Sequence, residues 1–189
     1  MIDLIKKILL LFFLISGTLF SVSAKKIPQN PNLIKGKLSN GLTYYIYPND
    51  YPKGEAIYRL FIKSGSVFET EDQKGLAHFL EHMAFNGTTH FPGNSMIRFL
   101  ESHGAKFGKD LNAHTSMNET VYKLQLPSSD RQMVDSTITI LADWAGHSLL
   151  DSLEIEKERG VILSEWLSRT GPESEIGEAF LMEIFPGMP

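Results

Sequence analysis

The alternation of apolar and polar residues divides the chain into short strand-like runs and longer helical segments. Strands are predicted over residues 33–37, 42–47, 56–62, 107–116 and 120–126, which are rich in β-branched and aromatic residues. Asn40-Gly41 lies between the first two runs, and this dipeptide is typical of a tight hairpin turn. The first two strands are therefore predicted to form an antiparallel hairpin.

Two helices are predicted between the third and fourth strands, because apolar residues recur there at helical spacing. The first follows a polar loop that ends at Gly75, and it is predicted to stop at Asn86-Gly87, a suitable left-handed C-terminal cap. The second begins near residues 92–94 and is predicted to stop at His103-Gly104.

Three helical segments are predicted after the last strand. Ser129 and Gln132 match a capping box at the start of a long helix, whose predicted apolar stripe comprises Met133, Val134, Ile138, Leu141 and Ala145. The next helix begins at Asp151 or Ser152 and runs to about Arg169, and residues 173–185 form the last one. This element order favours an α+β fold, with a mostly antiparallel sheet packed against helices, over a doubly wound parallel sheet.

Composition describes an ordinary globular protein, with 42% hydrophobic residues, a formal charge of −4 and no cysteine. The charge gives no indication of nucleic-acid binding, and disulfides are excluded. Residues 1–24 are predicted to be a secretory signal peptide, because two lysines precede an apolar run and small residues end at Ala24. The alternative is a membrane anchor, but the apolar run is short for a span.

An exported mature chain of residues 25–189 is therefore expected, periplasmic or extracellular, with no membrane span of its own.

The candidate chemistry is concentrated in His78-Phe79-Leu80-Glu81-His82. On a helix, two histidines four residues apart project from one face, so both imidazoles can bind one ion, and zinc suits them. Glu81 lies about 60° from His78 around the helix, where it could act as a general base on water. The order His-x-x-Glu-His is the inverzincin signature. The alternative is a pair of hydrogen-bonded core histidines beside an exposed glutamate, but three ionisable groups on an otherwise apolar, buried helix favour a metal.

A catalytic zinc needs a third protein ligand, and the helix 154–169 is the obvious source. Glu158 and Glu165 lie within about 20° of each other on its apolar face, where a carboxylate is costly unless it is paired or binds metal. Periodicity leaves an alternative equally open, in which Arg169 pairs with Glu165 and Glu158 pairs with Lys157 or Arg159.

Three ordered motifs resemble the pitrilysin/insulinase family of zinc metallopeptidases, in particular its exported bacterial members. They are residues 75–85 (GLAHFLEHMAF), residues 110–116 with 119–122 (DLNAHTS and ETVY) and residues 158–165 (ERGVILSE). The resemblance covers essentially all of the expected mature chain. It implies the fold of that family's amino-terminal catalytic domain.

The resemblance also implies a role for each site residue. His78, His82 and Glu165 would bind one zinc ion per chain, and Glu158 would support them from outside the ligand set. Glu81 would activate the water that zinc binds. Asn112 and Ala113 match the edge strand to which a peptide substrate adds as an extra strand. His114 departs from the family, which usually has an aromatic residue there, and His90, His103 and His147 match no ligand position.

The expected function is therefore that of a zinc-dependent endopeptidase acting on peptides or unfolded polypeptide segments. Family members have a further domain that helps to bind substrate, and the chain is expected to be an amino-terminal piece truncated at its carboxyl end. This leaves an alternative, a noncatalytic or partner-dependent peptide-binding module that associates with a chain supplying the missing half.

Overall fold

The computed structural model describes residues 27–185 of the chain. The predicted signal peptide and its cleavage position near Ala24 lie outside these residues, so both remain predictions. Among the helices of residues 27–185, none combines the length and the apolar character that crossing a membrane requires.

Residues 27–49 form a compact unit whose regular structure is an antiparallel hairpin. Its strands are β1 (Ile34–Lys37) and β2 (Thr43–Ile46), paired so that Gly36 is opposite Tyr44. The turn is closed by the Leu38 N–H, which donates to the Leu42 carbonyl at 2.8 Å. Gly41 has a φ of 94°, a left-handed conformation that favours glycine. The hairpin predicted from Asn40-Gly41 is confirmed.

Residues 50–185 form the second unit, which is built on a three-stranded antiparallel sheet. Its strands are β3 (Ala56–Ile62), β4 (Leu111–Thr115) and β5 (Thr120–Leu126), in the spatial order β3-β5-β4. Within residues 50–185, β4 is therefore an edge strand. β4 and β5 are joined by a tight turn in which the Ser116 N–H donates to the Glu119 carbonyl at 2.8 Å.

The prediction that the fourth strand starts at residue 107 was wrong, because residues 107–110 form a turn. The Asp110 N–H donates to the Lys106 carbonyl at 2.8 Å, and an Asp110 carboxylate oxygen accepts from the Lys106 N–H at 3.0 Å. Gly108, with a φ of 83°, provides the left-handed residue within this turn. These local bonds replace the strand pairing that the apolar pattern predicted.

Five α-helices lie within residues 50–185: α1 (Leu76–Met83), α2 (Ser95–Ser102), α3 (Arg131–Gly146), α4 (Ser152–Arg169) and α5 (Pro172–Ile184). Two short 3₁₀ turns, Ser66–Phe68 and Glu71–Gln73, lead into α1. Helices packed against an antiparallel sheet are the α+β arrangement that the element order predicted.

Two helix termini differ from the predictions. α1 ends at Met83, three residues before the predicted cap, and Gly87 takes its left-handed φ of 127° in the loop beyond it. α3 begins after Asp130, whose carboxylate accepts from the Met133 N–H at 3.0 Å. The predicted Ser129–Gln132 capping box is therefore replaced by a simple aspartate cap.

The predicted apolar stripe of α3 was also partly wrong. The buried residues are Met133, Thr137, Ile140 and Trp144 with Asp143, whereas Ile138 is 54% exposed. Thr137 can be buried because its hydroxyl donates to the Met133 carbonyl at 2.7 Å, within the helix.

The core lies on one face of the sheet and connects the strands to the helices. Tyr122 of β5 stacks on Trp144 of α3 with ring centroids 5.1 Å apart, and Leu60 and Leu124 pack around them. The Trp144 indole N–H donates to the Ala84 carbonyl at 3.1 Å, just after the end of α1. This buried bond fixes the C-terminal end of α1 against α3.

Asp143 anchors the loop that follows α1. Its side chain is 1% exposed and accepts from the Thr88 hydroxyl at 2.6 Å and from the His90 N–H at 3.0 Å. Burial raises the pKa of Asp143, but the bonds from Thr88 and His90 outweigh burial and hold the pKa below its ordinary value. Asp143 is therefore expected to be a carboxylate that stabilises this loop.

Candidate metal centre

The N-terminus of α1 is held by the side chain of Glu69. One carboxylate oxygen accepts from the Gly75 N–H at 2.8 Å and the other accepts from the Ala77 N–H at 2.7 Å. A negative charge at this end of a helix also interacts favourably with the helix dipole. Gly75 has a φ of 87°, which permits the sharp entry of the chain into the helix.

His78 and His82 project from the same face of α1, as the spacing predicted. Their Nε2 atoms lie 3.1 Å apart, and the rings meet edge to face with centroids 4.6 Å apart. Two imidazole nitrogens this close, on one face of a helix, can both direct a lone pair at a single metal ion.

α1 is less buried than its sequence predicted. Met83 is 1% exposed and Glu81 is 7% exposed, but Leu76 and Leu80 are about half exposed. The helix packs against α4 and β4, so its covered side is the side that carries the ionisable residues.

Glu165 of α4 completes a cluster of three possible ligands. Its Oε2 lies 3.7 Å from the His78 Nε2 and 3.5 Å from the His82 Nε2. Together with the 3.1 Å separation of the histidines, these distances define a triangle whose corners are about 2.0 Å from a common centre. Zinc binds histidine nitrogen and carboxylate oxygen at about this distance, so the donor set fits the ion.

Glu158 lies outside this triangle and orients one of its members. Its Oε1 is 2.6 Å from the His82 Nδ1, and its Oε2 accepts from the Asn86 amide at 2.6 Å. A carboxylate on the far nitrogen of an imidazole places the proton there and leaves Nε2 as a metal ligand.

The alternative ion pairs considered for α4 are formed in part. Arg169 does pair with Glu165, but it contacts Oε1 while Oε2 faces the histidines. Glu158 pairs with neither neighbour, because Lys157 bonds to Glu154 and Arg159 bonds to Glu156. The pairing of Glu165 is therefore compatible with metal binding through its other oxygen.

Glu81 is a buried carboxylate beside the triangle. It is 7% exposed, and its Oε2 accepts a 2.6 Å hydrogen bond from the Thr115 hydroxyl. Burial, with a smaller contribution from the Glu81 charge, raises the pKa of Tyr122 to about 12. Tyr122 is therefore expected to be a neutral phenol at physiological pH, with no second negative charge beside Glu81.

A cavity of about 710 Å³ opens over these groups. Its polar wall includes His78, Glu81, His82 and Glu165, and its apolar wall is formed by Phe85, Ile97, Phe107 and Met117. The cavity is large enough to admit a segment of peptide to the cluster.

Asn112 and Ala113 line this cavity from the edge strand β4. The Asn112 carboxamide is engaged locally, since its nitrogen donates to the Gly108 carbonyl at 3.1 Å and its oxygen accepts from the Ala113 N–H at 2.9 Å. Their predicted role in substrate binding remains a prediction.

The other histidines lie outside the cluster. His114 is exposed at the cavity wall, and His103 is exposed and bonded to its own helix. His90 and His147 contact Asp143 or its neighbouring backbone. None of the four belongs to the ligand triangle found in residues 27–185.

Sequence reasoning missed two residues that contact the site, Thr115 and Asn86. Thr115 alternates with Leu111 and Ala113 in β4, so strand periodicity places it on the core face. Asn86 lies four residues after His82, the distance of one helical turn. Strand periodicity and helical spacing thus place Thr115 and Asn86 near the site, but neither pattern identifies Glu81 or Glu158 as the partner that each contacts.

Comparison with known proteins gives one family. Residues 44–180 match the family described as Insulinase (Peptidase family M16). The Probable zinc protease PqqL of Escherichia coli (strain K12) is 45% identical over 143 residues, which are 76% of this chain and 15% of that protein. The Probable zinc protease PqqL of Haemophilus influenzae is 41% identical over 170 residues, 89% of this chain and 18% of that protein.

A solved structure agrees with this family match. The first half of the periplasmic protease PqqL from Escherichia coli superposes with a TM-score of 0.77 at 40% identity, over 84% of this chain and 34% of that one. The chain thus spans less than a fifth of the length of these two curated relatives.

Proposed function

The chain belongs to the insulinase family of peptidases, peptidase family M16, and we propose that it provides the zinc site of a metalloendopeptidase that hydrolyses peptides or unfolded polypeptide segments. The observation that carries the proposal is the triangle of the His78 Nε2, His82 Nε2 and Glu165 Oε2, with buried Glu81 beside it in one cavity. The relatives are named zinc proteases, which supports zinc as the metal.

His78, His82 and Glu165 would hold one zinc ion per chain. When bound, zinc supplies a Lewis acid that lowers the pKa of water and polarises a scissile carbonyl. Glu158 keeps the proton of His82 on Nδ1, so that Nε2 remains available for the metal.

Glu81 would act as the general base. Its carboxylate is at the cavity wall and is not one of the three ligand atoms, so it is placed to take a proton from the attacking water and pass it to the leaving amine. Residues of the cavity exclude bulk water around this transfer only in part, because the histidine side chains remain 22–30% exposed.

Asn112 and Ala113 would bind the substrate backbone. An extended peptide that adds to the free side of β4 lies along the cavity, and backbone hydrogen bonds provide affinity with little demand on side-chain sequence. The carboxamide of Asn112 now occupies the Ala113 N–H, so binding would exchange that bond for one to the substrate.

The test is cleavage of an unstructured quenched-fluorescence peptide by the full chain, with zinc content measured on the same sample. Chelator-sensitive cleavage that is lost in Glu81→Gln, with zinc retained, is the expected result. Full activity of Glu81→Gln would contradict the assignment of the base. The matched control is the isosteric change Glu55→Gln. Glu55 accepts a hydrogen bond from Gln125, and both residues lie far along the chain from the His78–His82 motif.

Export is a further part of the proposal. The amino-terminal 24 residues have the pattern of a cleaved signal peptide, and residues 25–189 would be the amino-terminal part of a larger metallopeptidase fold. The similar solved structure is that of a periplasmic protease, which supports a periplasmic location.

A second candidate is a partner-dependent module that binds peptide and becomes active after association. Large apolar residues on α4 and α5 favour it, since Trp166, Leu167 and Phe180 are each 60–64% exposed. Zinc bound without cleavage, followed by cleavage after addition of a complementary chain, would support this candidate over autonomous activity.

A further inference from the structure

The hydroxyl of Thr115 connects the edge strand to the proposed base. It lies 2.6 Å from the Glu81 Oε2 and 3.3 Å from the hydroxyl of Thr120, its cross-strand neighbour. The Thr120 hydroxyl lies in turn 3.0 Å from the Ser64 carbonyl oxygen. Three elements therefore meet in a short row of hydrogen-bonding groups behind Glu81.

The direction of each proton in this row follows from its two ends. The Ser64 carbonyl can only accept, so the Thr120 hydroxyl donates to it. An ionised Glu81 can also only accept, so the Thr115 hydroxyl donates to Oε2. Each hydroxyl has one proton, and both protons are thereby assigned.

The hydrogen bond from Thr115 affects which oxygen of Glu81 receives a proton. Oε2 already accepts a short, charge-assisted bond, which draws electron density from that oxygen and makes it the less basic of the two. The other oxygen, Oε1, can receive a proton while the Thr115 bond is kept. The bond also fixes the rotation of the carboxylate, which a side chain with three rotatable bonds would otherwise sample.

We propose that Thr115 is a positioning residue for the peptidase reaction: its hydroxyl holds the Glu81 carboxylate in one rotation, so that Oε1 is the atom that takes the proton from water. The inference rests on the proposed function, in which Glu81 is the general base. It assigns to the last residue of β4 a task separate from substrate binding by that strand.

Kinetics of the full chain test the proposal with two variants of different chemistry. Thr115→Val keeps the shape and removes the donor, and it should lower kcat about tenfold or more while KM and zinc content stay within about twofold. Thr115→Ser keeps the donor and should restore kcat to within about threefold of the wild type. Equal losses in both variants, or no loss in Thr115→Val, would overturn the proposal.

Thr137→Val is the matched control, because it removes another buried hydroxyl, one that donates to the Met133 carbonyl within α3. It should lower stability without changing kcat. A loss of kcat in this control equal to that of Thr115→Val would show a general effect of packing and count against the assignment.

A second measurement does not depend on activity. A double-mutant cycle with Thr115→Val and Glu81→Ala, measured by denaturant unfolding of the metal-free chain, should show a coupling of about tenfold in the unfolding equilibrium constant. Additive effects of the two substitutions would show that Thr115 and Glu81 are not hydrogen-bonded, and the proposal would then be wrong. If Glu81→Gln keeps full activity while this coupling is present, the proposed base is wrong although the hydrogen bond exists.

Discussion

Replacing Glu158 with glutamine tests how the protein holds His82. In the structure the two Glu158 oxygens accept from two donors, the His82 Nδ1–H and the Asn86 amide, each at 2.6 Å. A glutamine has one oxygen and one NH₂ group, so it can accept from only one of these donors. Its NH₂ group then lies against Asn86, which has to turn its own amide oxygen toward it, and the neutral oxygen left for the His82 Nδ1–H is a weaker acceptor than a carboxylate oxygen.

The expected loss follows from this geometry. Removing a carboxylate that orients a metal-binding histidine costs about ten- to hundredfold in metal affinity, or about 1.4–2.7 kcal/mol. The side chains of Glu158 and His82 are only 14% and 22% exposed, so water replaces the lost bond poorly. We therefore expect Glu158→Gln to lie near the upper end of this range, and Glu165→Gln, which replaces an anionic ligand with a neutral amide, to weaken zinc still more.

A compensating change makes the test specific. Asn86→Asp supplies a charged acceptor for the NH₂ group of a glutamine at position 158 and restores a negative charge near His82, so the double variant Asn86→Asp with Glu158→Gln should regain about tenfold in zinc affinity. Asn86→Asp alone should weaken zinc, because it places two carboxylates 2.6 Å apart.

Zinc affinity is measured by competition with a chelating dye on metal-free protein. Unchanged affinity in Glu158→Gln, or a double variant no better than Glu158→Gln, would show that Glu158 does not orient His82 for the metal. A weaker effect of Glu165→Gln than of Glu158→Gln would exclude Glu165 as the ligand.

Three further predictions concern stability and the frame of the site. Asp143→Asn should lower the free energy of unfolding by about 2–3 kcal/mol at pH 7. Bonds from Thr88 and His90 hold the Asp143 pKa below its ordinary value, so this stability is fully present above about pH 4 and is lost as pH falls through the folded-state pKa. Acid unfolding of the wild type and the variant would show the difference. Tyr122→Phe should reduce the loss of stability between pH 10 and 12, because a folded-state pKa of about 12 makes the unfolded state ionise first; identical alkaline unfolding curves would contradict this. Glu69→Gln should weaken the N-terminal cap of α1 and lower stability by about 1 kcal/mol, and an unchanged denaturation midpoint would exclude that role.

Local periodicity was sufficient to predict which ionisable residues share a helix face, and the family resemblance then implied that His78, His82 and Glu165 bind the metal. Helical spacing places His78 and His82 on one face of α1, and the seven-residue spacing places Glu158 and Glu165 on one face of α4. Periodicity could not choose between metal binding and pairing with Arg169, because that choice depends on which helix lies opposite. In the structure one oxygen of Glu165 contacts Arg169 and the other faces the two histidines, so the ion pair does not exclude metal binding.

The errors arose where side-chain hydrogen bonds override the apolar pattern. Thr137 can be buried in α3 because its hydroxyl is satisfied within the helix, whereas Ile138, the next residue, is exposed. β4 begins late because the Asp110 carboxylate and backbone close a turn on Lys106. The partners of Glu81 and Glu158 come from distant segments, and a single sequence does not reveal which distant side chains meet.

Zinc content together with zinc X-ray absorption on the purified full chain examines the ligand set itself. One zinc per chain is expected, with two imidazole ligands and oxygen ligands at about 2.0–2.1 Å. Most of the bound zinc should be lost in Glu165→Gln. A spectrum with no imidazole ligands, or undiminished zinc content and an unchanged spectrum in Glu165→Gln, would contradict a site formed by His78, His82 and Glu165.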